Sequence, residues 1–366
     1  MKGGVKMLCT LKIKLMPNEE QFNNILATMH RFNEACNFIS EVTFNNKTFN
    51  KVAIQKLCYY EVREKFELSS QMAIRAISKV AESYKTDKKV LHKFKSESAM
   101  VYDQRILSFD GLEFASILTL NGRIKVPMVI GNYQQGFMGE GRIRGQADLI
   151  LQDGVFYLLL IVERPEPTKI DTKEFLGVDL GIVNIATTSD GKEYSGAAVR
   201  GMRRRHARLR KKLQKNGTKS AKRLLKKRRK KEQRFARDVN HCISKQIISD
   251  VKDTQRGIAM EDLGGIRERV KTVRKTQRRE LSSWAFYQLR QFITYKAILA
   301  GVEVQFVDPR NTSRTCPKCG NIDKKSRKTQ SHFECTCCGY VANADINAAC
   351  NIAGRAVVNQ PYAGVV

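Results

Sequence analysis

The chain has 366 residues, 42% of them apolar, which is enough to bury a core and to divide into two or three domains, and excludes a disordered tail. Its 66 Lys and Arg against 36 Asp and Glu give a formal net charge of +30, which points to a polyanionic partner, nucleic acid or an anionic membrane face. The membrane is the weaker alternative. The longest strongly apolar run, VFYLLLIV at 155–162, is far short of the ~20 residues of a spanning helix, and lysines interrupt the N-terminal MKGGVKMLCTLKIKLM, so a cytoplasmic protein is expected.

Residues 8–15, LCTLKIKL, alternate as a strand does, and Asn18 is the expected N-cap of a long helix. Two more helical patterns follow, about Lys51 to Phe66 and about Ser69 to Lys85. Beyond Val101 the pattern becomes strands broken by Asp110-Gly111, Asn121-Gly122 and Asp153-Gly154, which favour tight hairpins and predict an antiparallel sheet or barrel with helices inserted after its first strand. VERPEPTK at 162–169 marks a boundary. Next, EFLGVDLGIVNIATTSDGKEYS at 174–195 reads as strand, glycine, strand and Ser-Asp-Gly turn. Between Arg203 and Arg234 lie 18 Lys or Arg and one acid, Glu232, with Asn216-Gly217 as a turn: a basic helical hairpin, which from Phe235 feeds an amphipathic helix through Val239, Ile243 and Ile247. A strand GIAMED at 257–262 precedes a second basic segment, with 266–280 as a lid or plain basic loop. A helix of about two dozen residues then carries Phe286, Leu289 and Ile293 on one face, and the strand VEVQFVDP leads to a cysteine cluster and a last helix.

Six of the ten cysteines fall in 316–350, whereas Cys9, Cys36, Cys58 and Cys242 are scattered among apolar neighbours. Cys316-x2-Cys319 and Cys335-x2-Cys338 have the spacing of a four-thiolate zinc ribbon, iron being the alternative; four sulfurs leave no open coordination position, so this metal is structural. Cys337 and His332 are spare candidates whose simpler roles are packing and a solvated loop. Three acids stand out by placement: Asp179 inside an apolar strand, Glu261 at the end of another, and Asp345 at the start of the last helix. Each alone is explained by a cap or an ion pair. Together they describe a carboxylate site. Oxygen ligands select Mg²⁺ or Mn²⁺, and two such ions activate water and stabilise a leaving oxygen in phosphodiester cleavage. Asp262 is an alternative ligand that strand alternation turns to the opposite face.

GVDLGIVNIATTSDG, IAMEDLGGI, SSWAFYQLRQFITYKAILAGVEVQFVDPRNTSRTCPKCG and NADINAACNIAGRA resemble, in order and spacing, the TnpB (OrfB) proteins of bacterial insertion sequences, compact RNA-guided DNA endonucleases related to type V CRISPR effectors. The resemblance is dense from about 174 onward. It implies an α+β multidomain fold: an antiparallel β-barrel (wedge) over 1–16 and 97–168 with an inserted helical recognition domain over 17–96, then an RNase H-like (RuvC) α/β nuclease domain over 169–310 and 342–366. The basic hairpin at 200–234 belongs to the nuclease domain, and a zinc ribbon is inserted at 311–341. The family's catalytic, metal-binding carboxylates fall on Asp179, Glu261 and Asp345. Arg310 and Arg314 match a segment beside the site and are offered as phosphate-binding residues. No acid is missing, which speaks against the nuclease-dead relatives that act as repressors.

The implied partners are a guide RNA derived from the transposon end and target double-stranded DNA, in a bacterial, nucleoid-associated setting. In the hairpin, Arg203, Arg204, Arg205, Arg208, Lys211, Lys227 and Arg228 are candidate phosphate contacts that hold a duplex by its backbone. Gln71 and Arg75, one turn apart on the third helix, are candidates for reading base edges, though an exposed helix face explains both equally well. The alternatives are a type V CRISPR effector, an RNA-guided DNA-binding regulator without cleavage, and a zinc-ribbon RNA-binding protein.

Overall fold

The protein's structure is a computed structural model that describes residues 6–228, 230–263 and 286–358, in two compact units dividing between Glu166 and Pro167. In the first unit, β1 (Lys6–Leu15) buries Leu11, Ile13 and Leu15 on one face, the period of two that its sequence carries. It is the middle strand of a seven-stranded antiparallel sheet. With β2 (Met100–Asp103), β3 (Leu107–Asp110), β4 (Phe114–Thr119), β5 (Gly122–Val129), β6 (Arg142–Gln152) and β7 (Val155–Pro165), the order is β2-β6-β7-β1-β5-β4-β3. The two outermost strands are consecutive in the chain, and Gln104 N donates to Gly145 O while Leu118 N donates to Ile106 O, so the sheet is nearly closed. The β6–β7 hairpin turns on Asp153 (φ 56°) and Gly154 (φ 76°), both left-handed, as a two-residue I′ turn requires.

Between β1 and β2 lie α1 (Glu19–Asn45), α2 (Lys51–Phe66) and α3 (Ser70–Ser83). Each begins on a side-chain cap: Asn18 with Gln21 in a reciprocal capping box, Asn50, and Ser69. The third helix stops at Ser83, two residues short of the expected end, and the chain then runs irregularly to β2. Asn33 and Asn37 of α1 hold that run by donating to the carbonyls of Ser96, Ser98 and Phe94. A fourth helix, α4 (Asn132–Glu140), interrupts what the sequence predicts as strands. Its glycines hide it from propensity, while Phe137 packs on Tyr133 and under the Arg164 guanidinium 4.5 Å from its ring centroid.

The second unit has a five-stranded sheet of β8 (Phe175–Asp179), β9 (Asn184–Thr188), β10 (Glu193–Ser195), β11 (Gly257–Glu261) and β12 (Val304–Val307), in the order β10-β9-β8-β11-β12. The first three form an antiparallel meander, and β11 and β12 run parallel to β8. Its helices are α5 (Ala197–Asn216), α6 (Lys219–Arg228), α7 (Lys231–Asp253), α8 (Phe286–Leu299) and α9 (Ala344–Val358). The rest of the helix expected before residue 286 and the segment 266–280 lie outside the described residues. Alternation along the strands decides what covers each face. Leu176, Val178, Ile258 and Met260 pack against Ile243, Ile247 and Val251 of α7 and Leu289, Ile293 and Ala297 of α8; Phe175, Ala259 and Val307 face Ile352 and Ala356 of α9.

Gly177 lies on the α9 face of β8. A Cβ there would sit 1.9 Å from the Ala349 carbonyl oxygen and 2.8 Å from the Ala353 nitrogen, so helix backbone rests directly on strand backbone. Alanines 344, 348, 349 and 356 of α9 permit this approach. Gly177→Ala is therefore expected to destabilise the second unit by at least ~1–3 kcal/mol, read as a lower urea midpoint. Gly136→Ala, where a Cβ meets nothing within 4 Å, should instead be neutral or stabilise by up to about 1 kcal/mol. Equal effects from the two would refute the close seating.

Candidate functional site

Asp179 ends β8 and Glu261 ends β11, one step beyond the paired Val178 and Met260, so neighbouring parallel strands carry the two acids side by side. Both point to the α9 face, because each lies an even number of residues from a side chain on that face: Gly177 and Phe175, and Ala259. Asp345 stands in the first turn of α9, where the Asn343 side chain accepts from its backbone N–H at 2.8 Å. The seating of α9 on Gly177 thus brings the third acid to the strand ends.

The electrostatics record this convergence. Burial, then the charges of Glu261 and Asp345, push the Asp179 carboxyl up to about 7, against the opposing pull of Arg327 and the Leu180 N–H. Burial also raises Glu261, with the nearby Asp308 carboxylate acting in the same direction; the Thr312 hydroxyl, donating to Glu261 Oε1 at 2.5 Å, and the Arg355 guanidinium counter the rise. The three acids are a looser set than the cysteine cluster. Among the described residues, the cysteines alone form a group of three or more His, Cys, Asp or Glu whose ligand atoms all lie within 4.8 Å of one another. An all-oxygen donor set of crowded carboxylates fits a hard divalent cation, and its spread is wider than a closed cage around one ion.

The cysteine cluster is Cys316, Cys319, Cys335 and Cys338. Cys316 and Cys338 sulfurs are 3.6 Å apart, as are those of Cys319 and Cys335. Four Zn–S bonds of ~2.3 Å in a tetrahedron span edges of about 3.8 Å, so the residues fit zinc. The two knuckles share one geometry. Gly320 and Gly339 take left-handed φ values of 74° and 67°, and their N–H groups donate to the carbonyls of Cys316 and Cys335. The backbone N–H groups of Cys338 and Cys337 donate to Cys335 Sγ and pull that thiol down to about 6, into the form a metal takes. Cys337 itself is exposed, outside the four. The second knuckle runs through the ribbon hairpin β13 (His332–Glu334) and β14 (Val341–Asn343) into α9, over a small core of Phe333, Cys316, Cys335 and Ala344.

The remaining candidates divide. Arg310 and Arg314 are exposed on either side of buried Thr312, on the loop that touches Glu261. In the basic hairpin Arg204, Arg205, Arg208, Lys211 and Lys227 are exposed, and Arg228 is partly so. Arg203 departs from the expected solvent-facing row: its side chain, 16% exposed, lies 3.8 Å from Glu232, the acid that also pairs with Arg210 at 3.0 Å. The contact lies between α5 and the first turn of α7. Gln71 and Arg75 do not form an open reading face either. Both donate to the carboxylate of buried Asp103 on β2, Arg75 Nε at 2.7 Å, so base contact requires releasing that bond. Asp262 turns to the other face, as alternation predicts, and pairs with Arg290 of α8 at 2.9 Å.

Two neighbours of the acids escaped sequence reasoning. Arg327 Nη2, in the ribbon, is 3.9 Å from Asp345 Oδ1, yet in KKSRK nothing distinguishes it from its basic neighbours. Thr312 is one hydroxyl in a polar loop.

Residues 159–263 match the OrfB_IS605 family, described as "Probable transposase", and residues 286–352 match the Cas12f1-like TNB domain. A TnpB-like protein of Methanocaldococcus jannaschii is 30% identical over 262 residues, covering 68% of this chain and 92% of that protein. The CRISPR-associated endodeoxyribonuclease Cas12f1 of Sulfoacidibacillus thermotolerans is 44% identical over 120 residues, 32% of this chain, which span only 27% of that relative. In fold, the chain is similar to the protein in the cryo-EM structure of a Cas12f1-sgRNA-target DNA complex, with a TM-score of 0.63 over 95% of this chain and 98% of that one at 15% identity. No helix among the described residues is long and apolar enough to cross a membrane.

Two outcomes are expected. Cys319→Ser should lose the zinc, about one ion per chain by atomic emission. In the absence of divalent cations, the folded protein keeps the Asp179 proton that the unfolded chain, with an ordinary pKa of ~3.9, has already released. This group's contribution to stability should therefore fall as pH rises from about 4 through about 7, and divalent-ion affinity should increase over pH 6–8 as that proton leaves. Thermal melts with and without Mn²⁺ across that range, on wild type and Asp179→Asn, check the sign.

Proposed function

The chain belongs to the TnpB-like family, and on that premise we propose that it is an RNA-guided DNA endonuclease whose cleavage centre is Asp179, Glu261 and Asp345. The observation that carries the reading is the meeting of these acids, from three distant parts of the chain, on one face of a sheet. The five strands and their order suit an RNase H-like, RuvC-type domain, the nearly closed sheet a wedge, and α1–α3 a recognition domain. Divalent ions, Mg²⁺ or Mn²⁺, supply an activated water and neutralise the leaving oxygen when bound, and a carboxylate set wider than one ion's cage suits a pair of them. The chain's own groups do the rest. Arg310 and Arg314 offer guanidinium groups to the DNA phosphates beside Glu261, and Arg327 places a cation at Asp345. The exposed face of α5 and α6 grips the guide RNA or RNA–DNA duplex through its phosphates, while base pairing to a guide from the transposon end carries sequence specificity.

A second reading, a compact type V CRISPR effector, is favoured by the 44% identity to Cas12f1 over 120 residues. Sequencing the RNA that co-purifies separates the two: a transcript of the element's own end supports the first, and a repeat–spacer RNA the second. For cleavage itself, Asp179→Asn, Glu261→Gln and Asp345→Asn are each expected to lower the rate at least ~100-fold, with guide RNA binding unchanged. The assay is metal-dependent cutting of a plasmid carrying the guide-matched site. Wild-type activity in the Asp179→Asn variant would remove the nuclease reading and leave an RNA-guided binder.

A further inference from the structure

Glu261 is held from outside its own strand. Thr312 is 3% exposed, and its hydroxyl lies 2.5 Å from Glu261 Oε1 and 3.1 Å from Pro309 O. One hydroxyl has one proton, so the two oxygens compete for it, and the shorter, charge-assisted bond to the carboxylate is the stronger. The loop bearing Thr312 is fastened to α9. Asn351 Nδ2 donates to the carbonyls of Thr312 at 2.8 Å and Thr315 at 2.7 Å, Asn347 Nδ2 donates to Thr315 O at 3.0 Å, and Arg355 Nη1 donates to Asp308 O at 2.6 Å. Turning either amide over would set its oxygen against a carbonyl oxygen, so the direction of these bonds is determined. Asn351 is 8% exposed and Asn347 fully buried. The helix that delivers Asp345 thereby also fixes the loop whose hydroxyl reaches Glu261.

We propose that Thr312 is a positioning residue: its hydroxyl, carried on backbone that Asn351 fastens to α9, orients the Glu261 carboxylate toward Asp179 and so couples the placement of the second acid to that of the third. The inference rests on the nuclease reading above, and its test separates the two. Thr312→Val keeps the shape and removes the donor, and Thr312→Ser restores it. In single-turnover cleavage by the guide-loaded protein, Thr312→Val should lower the maximal rate about 10- to 100-fold while leaving the DNA concentration for half-saturation unchanged, and Thr312→Ser should recover most of the loss. A readout independent of cutting is Mn²⁺ titration followed by electron paramagnetic resonance, in which Thr312→Val should bind manganese several-fold more weakly and Thr312→Ser like wild type. Zinc content and melting temperature are measured on all three proteins. Wild-type rate and manganese affinity in Thr312→Val overturn the proposal, as does a Thr312→Ser variant no better than Thr312→Val. Loss of zinc or of cooperative melting in Thr312→Val would show a structural role and overturn it too. If the wild type itself never cuts, the nuclease reading fails, and the manganese titration still decides whether Thr312 positions Glu261.

Discussion

The second unit is organised by a contact in which no side chain takes part. At Gly177 the backbone of α9 lies on the backbone of β8, closer than any Cβ allows. The sheet supplies two acids at neighbouring strand ends, and the helix seated on the face they point to adds Asp345 as the third, whose charge also raises the Asp179 carboxyl. Everything that distinguishes this sheet edge from an ordinary one follows from how near the helix comes: the raised Asp179 carboxyl, the reach of Arg327, and the reach of Thr312 to Glu261.

The four-cysteine ribbon stands between β12 and α9, and it does more than fill an interval in the chain. Its first knuckle begins just after the loop that bonds to Glu261, and its closing hairpin runs into the helix that carries Asp345. Ser331 O accepts from Ala344 N at 3.1 Å, which ties the ribbon to the helix start. Four sulfurs leave a bound metal no open position for chemistry, yet the ribbon they close sets where the chain re-enters the sheet layer.

Much of this was legible in the sequence. A carboxylate ending an apolar strand is costly unless it has a purpose, which singled out Asp179 and Glu261, and the cysteine spacing singled out the ribbon. What was not legible depends on partners distant in the chain. Gly177 sits within GVDLG as one glycine among others, and only the placement of Ala349 shows why no Cβ fits. Gln71 and Arg75 read as an open helix face because nothing in the sequence announces that Asp103 of β2 faces them. Arg203 looks like each of its basic neighbours, and Glu232 selects it by proximity alone. α4 was hidden by its own glycines, and Thr312 and Arg327 by loops rich in polar residues, where pattern carries no information.

The order in which the acids occur along the polypeptide has a further consequence. Translation proceeds from the N-terminus, so Asp179 and Glu261 leave the ribosome well before the ribbon and the helix behind it. A chain made only as far as β12 thus carries two of the three carboxylates, and the group of Asp179, Glu261 and Asp345 is complete only once α9 has been made.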